Sequence, residues 1–172
     1  MGRILSFAAT TITTLSLALA LAESDAFAQG KSLKEQVVGT WALVSNTSTR
    51  PDGSRYEALG RNPRGVFILD DRRHFVITLI GEGRRKFASN NRLQGTPEEN
   101  EAAVHGAIAY FGTYTVSEAD HTLVFHIDRS TFPNWDGTDQ KRSVTITGDE
   151  MKYTNAAASG TGKAELVWKR EK

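Results

Sequence analysis

The sequence predicts an all-β fold: an eight-stranded antiparallel up-and-down barrel with one short inserted helix, preceded by a cleaved N-terminal signal peptide. Three observations predict it. Apolar residues alternate with period two from residue 40 onward, turn-forming residues break that alternation at short intervals, and one helix-capping signature interrupts the strands.

The N-terminus reads as a targeting segment. Arg3 is a basic start, residues 5–22 are an uncharged apolar run diluted by Thr and Ser, and Ala26-Phe27-Ala28 places small residues where a signal peptidase reads. Ala20-Leu21-Ala22 offers a second cleavage point. The run is short for a membrane span, and no basic stop-transfer cluster follows it. The expected organisation is therefore a signal peptide over 1–28, a linker over 29–38 and a barrel domain over 39–172, with the mature protein periplasmic or secreted. Cleavage after Ala28 leaves 144 residues carrying 20 basic and 18 acidic side chains, a net charge of +2. That length suits one domain burying roughly two-thirds of the unfolded chain's surface. A charge so near balance gives no electrostatic footprint for nucleic acid. No later apolar run is long enough to cross a membrane. The chain has no cysteine, which excludes thiolate zinc sites, thiol redox chemistry and a cysteine nucleophile, and leaves stability to the apolar core.

The strands follow in order. Residues 41–49 set Trp41, Leu43 and Ser45 on one face, and Pro51-Asp52-Gly53-Ser54 is turn chemistry. Residues 65–69 form a second strand. It turns through Asp70-Asp71-Arg72-Arg73 into a third, 74–80, with Phe75, Ile77 and Leu79 to one side. The basic run Arg84, Arg85 and Lys86 reads as a solvated loop. Thr96-Pro97-Glu98-Glu99 is a capping box with proline at the first helical position, and Gly106 ends the helix it starts. Strands resume at 110–116, 122–128, 140–147, 151–156 and 163–169. Closing this meander removes the two exposed edges of an open sheet.

Gly39-Thr40-Trp41 resembles the Gly-x-Trp element of lipocalins, whose Trp plugs the closed barrel end and is crossed by an Arg just after the last strand. The resemblance makes Trp41 and Arg170 the barrel-closing pair. Gly95-Thr96-Pro97-Glu98-Glu99, the run from Ile108 to Tyr114, Phe132-Pro133-Asn134-Trp135 with Gly137-Thr138-Asp139-Gln140, and Leu166-Val167-Trp168 occur in order. Together they resemble the bacterial lipocalin-like domain family, related to true lipocalins only in shape. The similarity covers about residues 33–170 and implies a lipocalin-like, calycin-type barrel. It implies little about function, and residues 81–94 match none of its motifs.

Binary patterning selects the interior side chains. Gln140, Arg142, Val144 and Ile146 face in, as do Met151, Tyr153 and Asn155, then Leu166 and Trp168; Tyr110, Gly112, Tyr114 and Val116 form a further inward face. An inward arginine cannot lose its charge, so it needs a neighbouring carboxylate such as Asp128, a bound anion, or water at an open mouth. His126 is ambiguous. The apolar face Leu123, Phe125 and Ile127 turns it outward, whereas an even register across the next loop sets it beside Arg142.

Three functions fit these residues. The first is an exported binding protein holding a small hydrophobic or amphipathic molecule, a carboxylate among the candidates. Its wall is Phe75, Ile77, Tyr110, Tyr114 and Tyr153, and Gln140, Arg142 and His126 take the polar end. The second is a barrel enzyme, an isomerase or cyclase acting on a lipid- or polyketide-like substrate through His126 with Asp128 or Tyr114 beside Arg142. The third is a filled structural barrel, in which inward aromatics are core and Trp135 is a lid. No catalytic motif, cofactor loop or metal-ligand spacing is present, so no catalytic residue, cofactor or metal is assigned. Oligomeric state is not encoded in these patterns.

Overall fold

Strand β1 (Gly39–Thr49) pairs with β3 (Arg64–Leu69) along its first residues and with β9 (Lys163–Arg170) along most of its length, and these two pairings close the sheet on itself. The structure is a computed structural model and describes residue 2, residues 30–160 and residues 162–172; the cleavage sites expected at Ala22 and Ala28 lie outside the described residues. Between β3 and β9 run β4 (His74–Ile80), β5 (Ala107–Ser117), β6 (Thr122–Ser130), β7 (Asp139–Thr147) and β8 (Glu150–Asn155), each antiparallel to its neighbours. The result is an eight-stranded closed barrel. A two-residue strand, β2 (Arg55–Tyr56), adds to the end of β1. Two helices, α1 (Leu33–Gln36) and α2 (Pro97–His105), and one 3-10 turn (Pro133–Trp135) complete the described elements.

Alternation does what the sequence predicts. Phe67 and Leu69, Phe75 and Ile77, Leu123, Phe125 and Ile127, Met151 and Tyr153, and Leu166 and Trp168 all point inward and are buried. Each such side chain contributes about 1.5–3 kcal/mol on burial. Their rings form one connected stack: Phe67 meets Trp168 at 5.3 Å and Phe125 at 5.8 Å between centroids, and Phe125 meets Phe75 at 4.5 Å.

Two irregularities re-aim side chains. A bulge between Leu43 and Ser45 lets β1 bend from β3 towards β9, and past it Asn46 and Ser48 are the buried residues. Ser45, expected on one face with Trp41 and Leu43, is instead half-buried one step out of phase. A second bulge sits between Phe111 and Gly112, where an added Cβ would run into the His126 carbonyl oxygen. Only glycine fits that approach.

Both helices start as their residues dictate. Thr96 caps α2, its hydroxyl accepting from the Glu99 N–H while Glu99 accepts from the Thr96 N–H. The other Glu99 oxygen accepts from Ala88 N at 2.9 Å, tying the preceding loop to the helix. Hydrogen bonds from Ala88 and then Thr96 hold this carboxyl below its ordinary range. Ser32 and Glu35 form the same box on α1.

The described residues of the segment 29–38, expected to be a linker, contribute to the core. Leu33 and Val37 are buried, because α1 lies across one barrel end. The Leu33 and Lys34 N–H groups donate to the Glu118 carboxylate at 2.9 and 2.8 Å, fastening the helix to the β5–β6 turn. Trp41 is fully buried there and donates from Nε1 to Val37 O at 2.9 Å. The Arg170 guanidinium lies 4.0 Å from the Trp41 ring centre and donates to Val38 O and Gln36 O. Gly39, at φ +141°, is where it must be, since a Cβ would stand 2.7 Å from Arg170 Nη1. The resemblance-based pairing of Trp41 with Arg170 is thus present as a seal.

This seal is testable by urea denaturation. Arg170→Ala removes a desolvated cation–ring contact and two charged hydrogen bonds, and is expected to lower unfolding free energy by about 2–4 kcal/mol. Arg170→Lys recovers less than half, because an ammonium cannot stack and bridge two carbonyls at once.

Candidate ligand-binding site

Strand direction puts one barrel end under α1 and leaves the other to the loops after β1, β4, β6 and β8. A cavity of about 630 Å³ opens at that second end. Its apolar wall is Leu79, Ile108, Phe132, Trp135 and Leu166; its polar groups are Tyr110 and Tyr153 on one part of the wall and Asn46, Ser48 and Asn155 on another. Residues 56–59, Val104 and His105 of α2, and residues 158–160 form the rim. The volume is typical of small-molecule sites.

Sequence reasoning named eight ligand-binding residues, and the cavity collects two of them, Tyr110 and Tyr153. Phe75, Ile77 and Tyr114 do point inward, but into the filled half near the closed end and not into the cavity. The Tyr114 hydroxyl donates to Asp70 O at 2.7 Å, holding the β3–β4 turn. Gln140 and Arg142 also face inward yet do not line the cavity. His126 is on the outside. Its register partner is Asp139, its side chain is 57% exposed, and its Nδ1 lies 2.7 Å from the Asp139 carboxylate. The reason is competition for one face: Leu123, Phe125 and Ile127 take the interior, so the residue between them must face solvent. Asp128 is exposed too, so the carboxylate proposed to neutralise Arg142 is absent from the interior.

Arg142 is 1% exposed. Its Nη1 donates to Lys141 O and its Nη2 to Gln140 Oε1, both at 3.0 Å, while Nε has no partner. Its guanidinium carbon stands 5.7 Å from the Phe125 ring centre. Among the described residues no carboxylate lies within ion-pair distance of it. The cation therefore keeps most of its field in a low-dielectric interior.

The Tyr110 and Tyr153 hydroxyls are 3.4 Å apart. Burial, and secondarily Tyr110, push the Tyr153 phenol well above its ordinary range, with Arg142 opposing. Tyr153 thus keeps its proton.

Some lining residues were legible and others were not. Leu79, Tyr153, Asn155 and Leu166 follow from alternation, and Trp135 sits where a lid was expected, 5.2 Å edge-on from Tyr110 and 5.7 Å from Phe132. Asn46 and Ser48 were missed because a bulge leaves no period-two signal. The rim residues come from loops, where patterning is silent.

Comparison with known proteins follows this geometry. Residues 38–171 match the family described as lipocalin-like domain. The 4'-hydroxy-3'-methoxypropiophenone carrier protein of Aspergillus oryzae is 38% identical over 68 residues, covering 36% of this chain and 61% of that protein. The chain therefore spans under two-thirds of the length of this relative. A mutant of the fluorescent protein UnaG aligns over 79% of this chain and 96% of its own, at 14% identity and a TM-score of 0.34.

The Tyr153 environment has a pH signature. Its proton is held more tightly in the folded chain than in the unfolded one, where it leaves near pH ~10. The stabilisation is complete below that pH and is lost as pH rises towards the folded value. Unfolding free energy should fall between about pH 10 and 11.5 less steeply in Tyr153→Phe than in the wild type, by up to about 1.4 kcal/mol per pH unit. Equal slopes would contradict the assignment.

Proposed function

This chain belongs to the lipocalin-like domain family, and from that premise we propose that it is a binding protein holding one small amphipathic molecule in the open end of its barrel. One observation carries the reading. A cavity of about 630 Å³ has Tyr110 and Tyr153 in its wall, their hydroxyls 3.4 Å apart, and the same barrel interior buries Arg142 without a carboxylate partner among the described residues. An aromatic or aliphatic body packs against Leu79, Ile108, Phe132 and Trp135. A carboxylate or carbonyl oxygen accepts from Tyr110 and Tyr153, with the Arg142 charge favouring an anion. The relative named as a carrier of a hydroxylated, methoxylated propiophenone supports a small oxygenated aromatic as one such occupant.

The enzyme reading draws little from this arrangement. His126, its proposed base, is paired with Asp139 on the outer face. The filled-barrel reading describes the closed half, where aromatic rings leave no room, and not the mouth. Export belongs to the proposal as well, through the leader-like residues 1–28.

Two experiments test this. Titration with 11-(dansylamino)undecanoic acid should give saturable emission with a Kd of about 1–10 µM, and Ala158→Trp at the rim should weaken it at least about tenfold. Arg142→Met should weaken the carboxylate probe about tenfold and leave the matching alcohol unchanged. Absence of binding to either probe would remove the reading. For export, N-terminal sequencing of the expressed protein recovered from periplasm or medium should begin at Gln29 or Glu23; an intact Met1 start in the cytoplasm would contradict it.

A further inference from the structure

We infer that the side-chain amide of Asn46 is a second polar anchor for the bound molecule, so that the occupant carries a hydroxyl in addition to the oxygen met by the tyrosines. This rests on the binding reading above and names the ligand chemistry that the same cavity selects.

Asn46 is in the interior only because β1 bulges between Leu43 and Ser45. It is 9% exposed and lines the cavity. Its amide makes no hydrogen bond within the described chain, and Oδ1 is fully buried without a partner. The other asparagine of the cavity behaves differently. Asn155 Oδ1 accepts from Ala157 N at 3.0 Å, shaping the turn that leaves β8. One interior amide is therefore structural and the other is idle. Buried amides are ordinarily paired, and an unpaired one on a cavity wall is open to a group from outside the chain.

The placement supports a ligand with two polar points. Asn46 pairs with Leu166, and Leu166 with Tyr153, so the three form one row across neighbouring strands on the inner face. Adjacent strands are about 4.8 Å apart, which separates the Asn46 and Tyr153 backbones by about 10 Å with apolar Leu166 between them. A molecule with a single polar end satisfies one of these points and seals the other away from water. One with an acceptor at the tyrosines and a hydroxyl at Asn46 satisfies both, and Ser48, buried two residues along the same wall, extends the polar strip. Discrimination then comes from the penalty on occupants that lack the hydroxyl.

Calorimetric titration of the full chain with 4-hydroxybenzophenone, benzophenone and 4-methoxybenzophenone reads this directly. The hydroxylated ketone should bind about tenfold tighter than the other two, the value of one neutral hydrogen bond. Asn46→Leu, nearly equal in volume, should abolish that preference while retaining benzophenone binding, and should melt no lower than the wild type when unliganded. Equal binding of all three ketones by the wild type overturns the Asn46 assignment, without needing any variant to fold. So does a preference that survives in Asn46→Leu, or a variant that melts well below the wild type, which would make the amide structural. If the dansylated acid binds and the ketones show no hydroxyl preference, Asn46 alone is wrong. If nothing binds, the binding reading fails and takes this inference with it.

Discussion

Everything in this fold depends on β1 serving two neighbours at once. It pairs with β3 along residues 39–42 to continue the meander and with β9 along residues 41–49 to close it. The bulge at Leu43–Ser45 falls just past the last residue that pairs with β3. Closure then removes the sheet's edges and creates an interior that has to be filled. Large aromatic rings fill the half nearest α1, and the Trp41–Arg170 stack with Val37 caps it. At the other end the strands hand over to long loops, and the interior is hollow.

The same bulge is why a structural device has chemical consequences. Past it the inward residues of β1 change from apolar to polar, so Asn46 and Ser48 face the cavity where a regular strand would have presented Ser45 and Thr47. Across the barrel, Arg142 is tied to its own strand by Lys141 O and Gln140 Oε1 and to no carboxylate. Polar groups left partly unmatched in a dry interior weaken the empty fold.

Arg142 and Arg170 illustrate how differently one residue type can be used. Arg170 spends its donors on backbone carbonyls and its plane on an indole, so its charge is dispersed over a seal. Arg142 has an unpaired Nε and donates only to Lys141 O and Gln140 Oε1 of its own strand. The first is a fastening and the second is an inward cation without a carboxylate partner among the described residues. Nothing in their neighbouring residues distinguishes these roles.

The sequence alone determined the barrel, the α2 capping box, the inward set on β4, β7, β8 and β9, and the outward pull on His126 exerted by Leu123, Phe125 and Ile127. These are local properties: period-two alternation and cap chemistry act within a few residues. Tertiary structure alone decided how deep each inward residue sits, which put Phe75, Ile77 and Tyr114 in the filled half and Tyr110 and Tyr153 at the cavity. It also decided the β6–β7 register that joins His126 to Asp139, and the bulge that turns Asn46 inward. Depth, register and bulges come from how strands hundreds of atoms apart align when the sheet closes, and alternation within any one strand carries no record of that alignment.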